Sequence, residues 1–217
     1  MAKDEILEKL RMAVERGDSE AAEAAAKEAL EAEINPVEAI EQGLAVGIRH
    51  IGEQFEKREL YLPDLMLAAR AMEFGMKPLI EEVQRQGLEV KYLGRVLLGT
   101  VEGDIHDIGK KLVATMLQAS GFEVIDLGFD VPTQTFVEKV KELNPDILGL
   151  SAMMTSTMLK QGEVIEALRR EGLAETIKVI IGGASVSEEW AKEIGAAGYG
   201  PDAEEAVRIS RRLIGKF

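Results

Sequence analysis

From residue 95 onward the chain changes hydrophobic period repeatedly, and this alternation restricts its fold more than any other feature. Short apolar runs at 95–100, 122–127, 146–151 and 177–181, with a brief one near 197–199, read as strands. Amphipathic stretches at about 106–119, 133–143, 156–171, 187–195 and from Asp202 to about Ile214 read as helices. Strands alternating with helices imply an α/β fold, a doubly wound parallel sheet covered on both faces. Five strands wound this way most often take the order 2-1-3-4-5. The ligand crevice then lies where the order reverses, between the first and third strands.

Upstream of about residue 88 there is no convincing strand. Asp4 to Arg16 is amphipathic, with Ile6, Leu7, Leu10, Ala13 and Val14 on one stripe. Gly17 breaks that helix, and Asp18 can cap the alanine-rich one that follows, up to Ile34. Asn35-Pro36-Val37-Glu38 is a strong start signal for a third helix, to about Lys57. Leu62-Pro63-Asp64 starts a fourth, to about Arg85. Helices joined by short loops predict a four-helix bundle over 1–88, followed by an α/β domain over 89–217 with a linker at 86–94.

The turn after the first strand carries the richest chemistry: Gly99-Thr-Val-Glu-Gly-Asp-Ile-His-Asp-Ile-Gly109. His106 is one of only two histidines. In an extended turn residues two apart project to the same side, so Asp104 can accept a hydrogen bond from one ring nitrogen. That leaves the other nitrogen free for a metal. Gly109 removes a side chain where something bulky must approach the backbone. The alternative is an ordinary helix N-terminus, with Asp104 and Asp107 favouring the dipole and His106 solvated.

Composition narrows the functions. The balance of 39 acidic against 26 basic residues disfavours nucleic acid or an anionic membrane as partner. With no cysteine, thiolate catalysis and Cys-ligated metal sites are excluded. No apolar run approaches the ~20 residues of a membrane span, and the start of the chain lacks the apolar core of a signal peptide. A soluble cytoplasmic protein is the expectation.

The other loops at the same sheet edge are small or polar: Ser151-Ala-Met-Met-Thr-Ser-Thr157, Gly182-Gly-Ala-Ser185 and Tyr199-Gly-Pro-Asp202. Gly182, Gly183 and Ser151 could wall a slot admitting a rigid group. Each also has a dull reading: Ser185 and Asp202 look like capping residues paired with Glu188 and Glu205. Nucleotide-binding fingerprints are absent, and Ser151 stands where a phospho-receiver domain needs aspartate. Zinc hydrolysis would need several converging ligands. His50 falls in a helical pattern and reads as an ordinary helix-face residue.

Asp104-x-His106-x-x-Gly109, then Ser151-x-Met-Met-Thr-x-Thr157, then Gly182-Gly183, resembles the signature of corrinoid (vitamin B12)-binding domains in the base-off, His-on form. Methionine synthase and the small corrinoid proteins of methylamine, methanol and methoxy-aromatic methyl transfer share it. Glu53-Gln-Phe55 followed by Tyr61-Leu62-Pro63 is similar to the helical cap of that family, so the resemblance covers essentially the whole chain. Thr157 stands where the methionine synthases carry serine, and the hydroxyl is retained.

The resemblance implies that His106 supplies the lower nitrogen to cobalt, displacing the cofactor's own base. The nucleotide tail then enters a slot lined by Ser151, Thr155, Gly182, Gly183, Ala184 and the Tyr199-Gly200 turn. Gly103, Ile105, Asp107, Ile108, Gly109, Met153 and Met154 join the cofactor-binding set. Asp104 and Thr157 complete a proton relay with His106 that biases the protein between methylcobalamin and cob(I)alamin. Phe55 and Leu62 would shield the upper face, although both also fit ordinary bundle core. The lid must move to admit a partner, with the linker as its hinge.

The function implied is a methyl carrier that serves a substrate-specific methyltransferase and an acceptor methyltransferase using tetrahydrofolate or coenzyme M, with a reductive activase as a further partner. Such a subunit is not catalytic without its partners. The acidic surface would suit partners with basic rims. A cobalamin-sensing regulatory module is the rival reading, but it needs a DNA-binding segment and a basic surface. The lone tryptophan, Trp190, also lies outside the bundle, where that reading would not place it. The cap argues against a carbon-skeleton mutase subunit.

Overall fold

The computed structural model describes residues 3–215, apart from the side chain of Glu56. The chain divides into two compact units, Met1–Lys91 with Gln118–Gly121, and Tyr92–Leu117 with Phe122–Phe217.

The helical unit begins with α1 (Lys3–Glu15) and α2 (Ser19–Glu31). Asp18 caps α2 as expected, its carboxylate accepting the Ala21 N–H at 3.0 Å. The third helix starts as α3 (Pro36–Glu38), where Asn35 accepts the N–H groups of Val37 at 2.9 Å and Glu38 at 3.3 Å. It does not run on as a uniform α-helix. A π-helical stretch, Ala39–Leu44, precedes α4 (Ala45–Glu56). Its wider turn lets Ala39, Ile40, Gly43 and Leu44 all face the core, which simple apolar spacing does not reveal. Gly43 belongs there because a Cβ would meet that of Leu10 at 2.8 Å. The last helix, α5 (Leu62–Gln86), opens with the Tyr61 N–H donating to Asp64 at 2.9 Å. It ends at Gly87, whose φ of 64° lies in the left-handed region that favours glycine.

The second unit is a five-stranded all-parallel sheet in the order β2-β1-β3-β4-β5. Its strands are β1 (Arg95–Thr100), β2 (Glu123–Asp126), β3 (Ile147–Ser151), β4 (Lys178–Gly182) and β5 (Gly198–Gly200). They alternate with α6 (Ile108–Ala119), α7 (Thr133–Leu143), α8 (Thr155–Arg170), α9 (Glu188–Ile194) and α10 (Ala203–Leu213). The strand order is the one the alternating pattern implies. It places β1 beside β3, so the loops after both strands meet at one point of the sheet edge.

The period of two sorts the strand residues. Leu97, Leu148, Leu150, Val179 and Ile181 pack with Phe136, Val164 and Leu168 in a core under α7, α8 and α9. Leu98, Gly149 and Ile180 point to the opposite face. Asp202 caps α10 as expected, accepting the Glu205 N–H at 2.8 Å. Ser185 does not cap α9. Ser187 does, accepting the Trp190 N–H at 3.2 Å. Val186 is buried, so the chain must first seat that side chain before the helix can begin.

Candidate functional site

At the end of β1 the chain leaves the sheet and makes an irregular turn before α6. Within it, the Asp104 side chain is fully buried and the His106 side chain is 51% exposed. One carboxylate oxygen of Asp104 accepts both the backbone N–H of His106 at 3.1 Å and its ring Nδ1–H at 2.7 Å. The other accepts the Thr157 hydroxyl at 2.6 Å and the Met153 N–H at 2.7 Å. Burial pushes the Asp104 carboxyl up, but these hydrogen bonds outweigh it and hold the group well below the usual carboxylate range. An ionised carboxylate only accepts, so Nδ1 must carry the proton. Nε2 is left as a bare lone pair facing outward. The ring's tautomer and orientation are thus set by one buried charge.

Thr157 reaches Asp104 because it sits in the first turn of α8. Its hydroxyl oxygen also accepts the Met154 N–H at 3.3 Å, which closes the turn after β3. The structure therefore brings together Asp104, His106 and Thr157, from two loops far apart in sequence.

Beside this triad opens a cavity of about 760 Å³, between the sheet face bearing Leu98, Gly149 and Ile180 and residues of α6 and α10. Its wall includes the expected Ile105, His106, Asp107, Ile108 and Gly109 at the mouth, and Ser151, Met153, Gly182, Gly183, Ala184, Tyr199 and Gly200 along the edge. Thr155 and Met154 stand exposed at the start of α8, outside this wall, as does Gly103. Phe55 and Leu62 are partly buried on the helical unit. His50, on α4, lies 2.7 Å from a Glu15 oxygen and accepts from Gln54 at 3.3 Å, in keeping with a helix-face role.

Several wall residues escape sequence reading: Leu98, Leu112, Val113, Gly149, Ala203 and Ala206. Apolar residues of strands and helices read as core, and only the small size of Gly149 and the two alanines hints at a slot. Thr100, fully buried, donates its hydroxyl to the His106 carbonyl at 3.1 Å and was equally hidden as a strand-end threonine. So was Lys110, whose buried ammonium pairs with Asp126.

The arrangement suits one kind of guest. Among the described residues no three His, Cys, Asp or Glu side chains converge on a metal position. His106 would therefore be a single protein ligand to a metal held by another framework. Ile105 and Ile108, 68% and 78% exposed on either side of it, and the exposed Met153 present apolar surface around the ring, of a kind that could seat a flat macrocycle. The glycine-walled slot admits a long substituent.

Residues 94–208 match the B12 binding domain family, and residues 6–80 match a second B12 binding domain family. Trimethylamine corrinoid protein 1 of Methanosarcina acetivorans is 46% identical over 98% of this chain and 99% of its own length. Dimethylamine corrinoid protein 1 of the same organism is 47% identical over 99% and 100%. The methanol:cobalamin methyltransferase complex MtaBC from Methanosarcina barkeri has a matching chain at a TM-score of 0.88 and 31% identity, covering 100% of this chain and 82% of that one. A cobalamin-binding protein from Desulfitobacterium hafniense DCB-2 matches at a TM-score of 0.62 and 35% identity, covering 98% of each chain.

The free Nε2, its apolar flanks and the adjoining slot fit a corrinoid. With a corrinoid as its cofactor, this chain belongs to the B12-binding corrinoid proteins.

Proposed function

We propose that the chain carries a methyl group on its corrinoid from a substrate-specific methyltransferase to a second methyltransferase, whose acceptor is tetrahydrofolate or a thiol such as coenzyme M. The observation that carries this reading is the bare Nε2 of His106, fixed by a buried, ionised Asp104 at the mouth of an apolar slot. Relatives named for trimethylamine and dimethylamine, and a structural relative in a methanol:cobalamin methyltransferase complex, make these the first donors to try.

When bound, the corrinoid's cobalt supplies the centre that accepts and releases the methyl group. His106 would hold that cobalt from below through Nε2. Asp104 keeps the ring in the Nδ1–H tautomer, and Thr157 and the Met153 N–H keep Asp104 ionised and still. Asp104, His106 and Thr157 form one hydrogen-bonded set, the relay proposed to link the ring to the buried carboxylate. The slot wall of Leu98, Gly149, Ile180 and Ala206 excludes water from the cofactor's tail. For Phe55 and Leu62, on the helical unit, the proposed role is to shield the carried methyl group. A reductive activase is proposed as a further partner, and the cytoplasm as the compartment. Among the described residues no helix is long and apolar enough to cross a membrane.

The test is the visible spectrum of protein loaded with methylcobalamin, together with transfer assays from methylamine and methanol methyltransferases to protein loaded with cobalamin and chemically reduced to the cob(I)alamin form. The native protein should show the His-on spectrum and accept methyl groups from at least one of them. His106→Ala should lose that spectrum, and an unchanged spectrum would remove His106 from the metal. A loaded protein that exchanges methyl groups with none of these enzymes would overturn the carrier role.

A further inference from the structure

The turn that presents His106 is gripped from two sides, and only one of them lies in the recognised motifs. On the β3 side, the loop entering α8 holds the Asp104 carboxylate through Thr157 and Met153. On the β2 side, the loop entering α7 holds the backbone of the same turn. The Asp130 N–H donates to the Asp104 carbonyl at 2.9 Å, and the Asp130 carboxylate accepts the Gly103 N–H at 2.7 Å. One residue thus clasps the 102–103 and the 104–105 peptide groups, on either side of the peptide that enters Asp104.

Asp130 makes this clasp in an unusual conformation, with φ at 54°, in the left-handed region that non-glycine residues seldom occupy. Asp and Asn tolerate it better than other side chains. A glycine would meet the conformation more easily but could offer no acceptor to Gly103. The loop around Asp130 is itself anchored, by Thr100 N–H donation to the Gly128 carbonyl at 3.0 Å and by a parallel bridge between Val101 and Val131. The clasp is therefore rigid at its base.

We infer that Asp130 is a positioning residue that fixes the peptide planes around Asp104, and through them the orientation of the His106 ring. The carboxylate of Asp104 is already tied to α8. Once the 103–105 backbone is pinned as well, the ring has one hydrogen-bonded orientation left. Without the clasp the backbone of the turn keeps only the Asp104 N–H bond to the Val101 carbonyl, the His106 N–H bond to the Asp104 carboxylate and the Thr100 hydroxyl on the His106 carbonyl. The 102–103 and 104–105 peptides then gain freedom, and the Nδ1–H contact is shared with solvent.

The inference rests on the proposed cobalt ligation for one readout and is independent of it for the other. The first experiment records nitrogen-15 NMR of histidine-labelled protein without corrinoid. The chain has only His50 and His106, so His50→Gln assigns the signals. The native His106 should show the Nδ1–H tautomer. Asp130→Gly, which keeps the backbone conformation and deletes the acceptor, should lower the ratio of that tautomer to the Nε2–H form about fivefold, the factor one ordinary hydrogen bond is worth. Asp130→Asn, which retains an acceptor oxygen and tolerates the same φ, should restore it. The second readout is the His-on fraction of the loaded protein, which should follow the same order.

A native-like signal in folded Asp130→Gly would overturn the inference, as would loss of the tautomer in Asp130→Asn. Were Asp130→Gly not to fold, Asp130→Asn still decides, since its neutral acceptor should leave the Nδ1–H tautomer in place and loss of that tautomer overturns the inference. If the native loaded protein lacks the His-on spectrum, the ligation reading fails while the corrinoid-free signals still decide the role of Asp130.

Discussion

At the scale of single residues the site depends on keeping a charge buried. Asp104 is fully buried and accepts from Thr157, Met153 and both the backbone and ring of His106. Asp104→Asn keeps the shape but turns one acceptor into a donor that faces other donors. At ~1–3 kcal/mol for each buried group left unpaired, the variant should lose about 3 kcal/mol of folding stability. Urea unfolding measures this. The same substitution leaves at most a neutral carbonyl oxygen in place of the carboxylate that specifies Nδ1–H, so the His-on spectrum should weaken as well. Thr157→Val deletes one donor and leaves the His106 contact, so it should cost nearer 1 kcal/mol and keep the spectrum. Equal losses in the two variants would mean that the threonine, not the carboxylate–ring pair, dominates. Asp104 and His106 were legible in the sequence because their partnership is local, two residues apart. Asp130 was not, since its contacts with residues 103 and 104 exist only once β2 lies beside β1. Its signal was faint: an acidic residue in the loop at the edge that the reversed strand order singles out.

Among elements, the slot exists because glycines stand where strand ends must nearly touch. Gly183 has φ at 126°, and a Cβ there would lie 1.8 Å from the Ala152 carbonyl oxygen. Backbone cannot yield cheaply, so Gly183→Ala should cost about 3 kcal/mol or more and loosen the junction of β3 and β4. Gly149 differs. A Cβ there would meet only the tip of Leu98, at 2.3 Å. That flexible side chain can swing, and the space open to it is the slot. Gly149→Ala should therefore cost only about 1–3 kcal/mol of stability while weakening corrinoid binding at least about tenfold. Calorimetry against cobalamin separates the two effects, and unchanged affinity would show that the slot does not hold the cofactor. The glycines at β4's end were readable as a turn, and their meeting with Ser151 followed from the strand order. What holds that junction was not. Gln161, fully buried in α8, donates to the carbonyls of Leu150 at 3.0 Å and Gly182 at 3.2 Å, and accepts from the Trp190 indole at 3.2 Å. A glutamine on a helix face carries no mark in the sequence that it will bridge two strands. The lone tryptophan, whose place outside the bundle was clear, now has a structural use in that bridge.

Over the whole molecule, the slot and the histidine make separable contributions, and the linkage between binding and folding can tell them apart. A corrinoid that binds only the folded state stabilises it by RT ln(1 + [L]/Kd), about 2.7 kcal/mol at a hundredfold excess over Kd. Core amides of β1, β3 and β4 that exchange only through global opening should then be protected about a hundredfold more. On the proposed reading the cofactor's tail would enter the cavity of about 760 Å³ lined by Leu98, Leu112, Val113 and Ile180, whereas His106 would offer one bond at the mouth. Burial of apolar surface on that scale outweighs a single ligand whose alternative is water at the metal. His106→Ala should consequently lose the His-on spectrum yet keep most of the protection of those strands. Gly149→Ala should do the reverse, retaining the ligating ring while losing protection. Hydrogen exchange read by mass spectrometry on corrinoid-loaded and corrinoid-free protein distinguishes the patterns. Complete loss of protection in His106→Ala would assign the binding energy to the metal bond and leave the slot as a bystander.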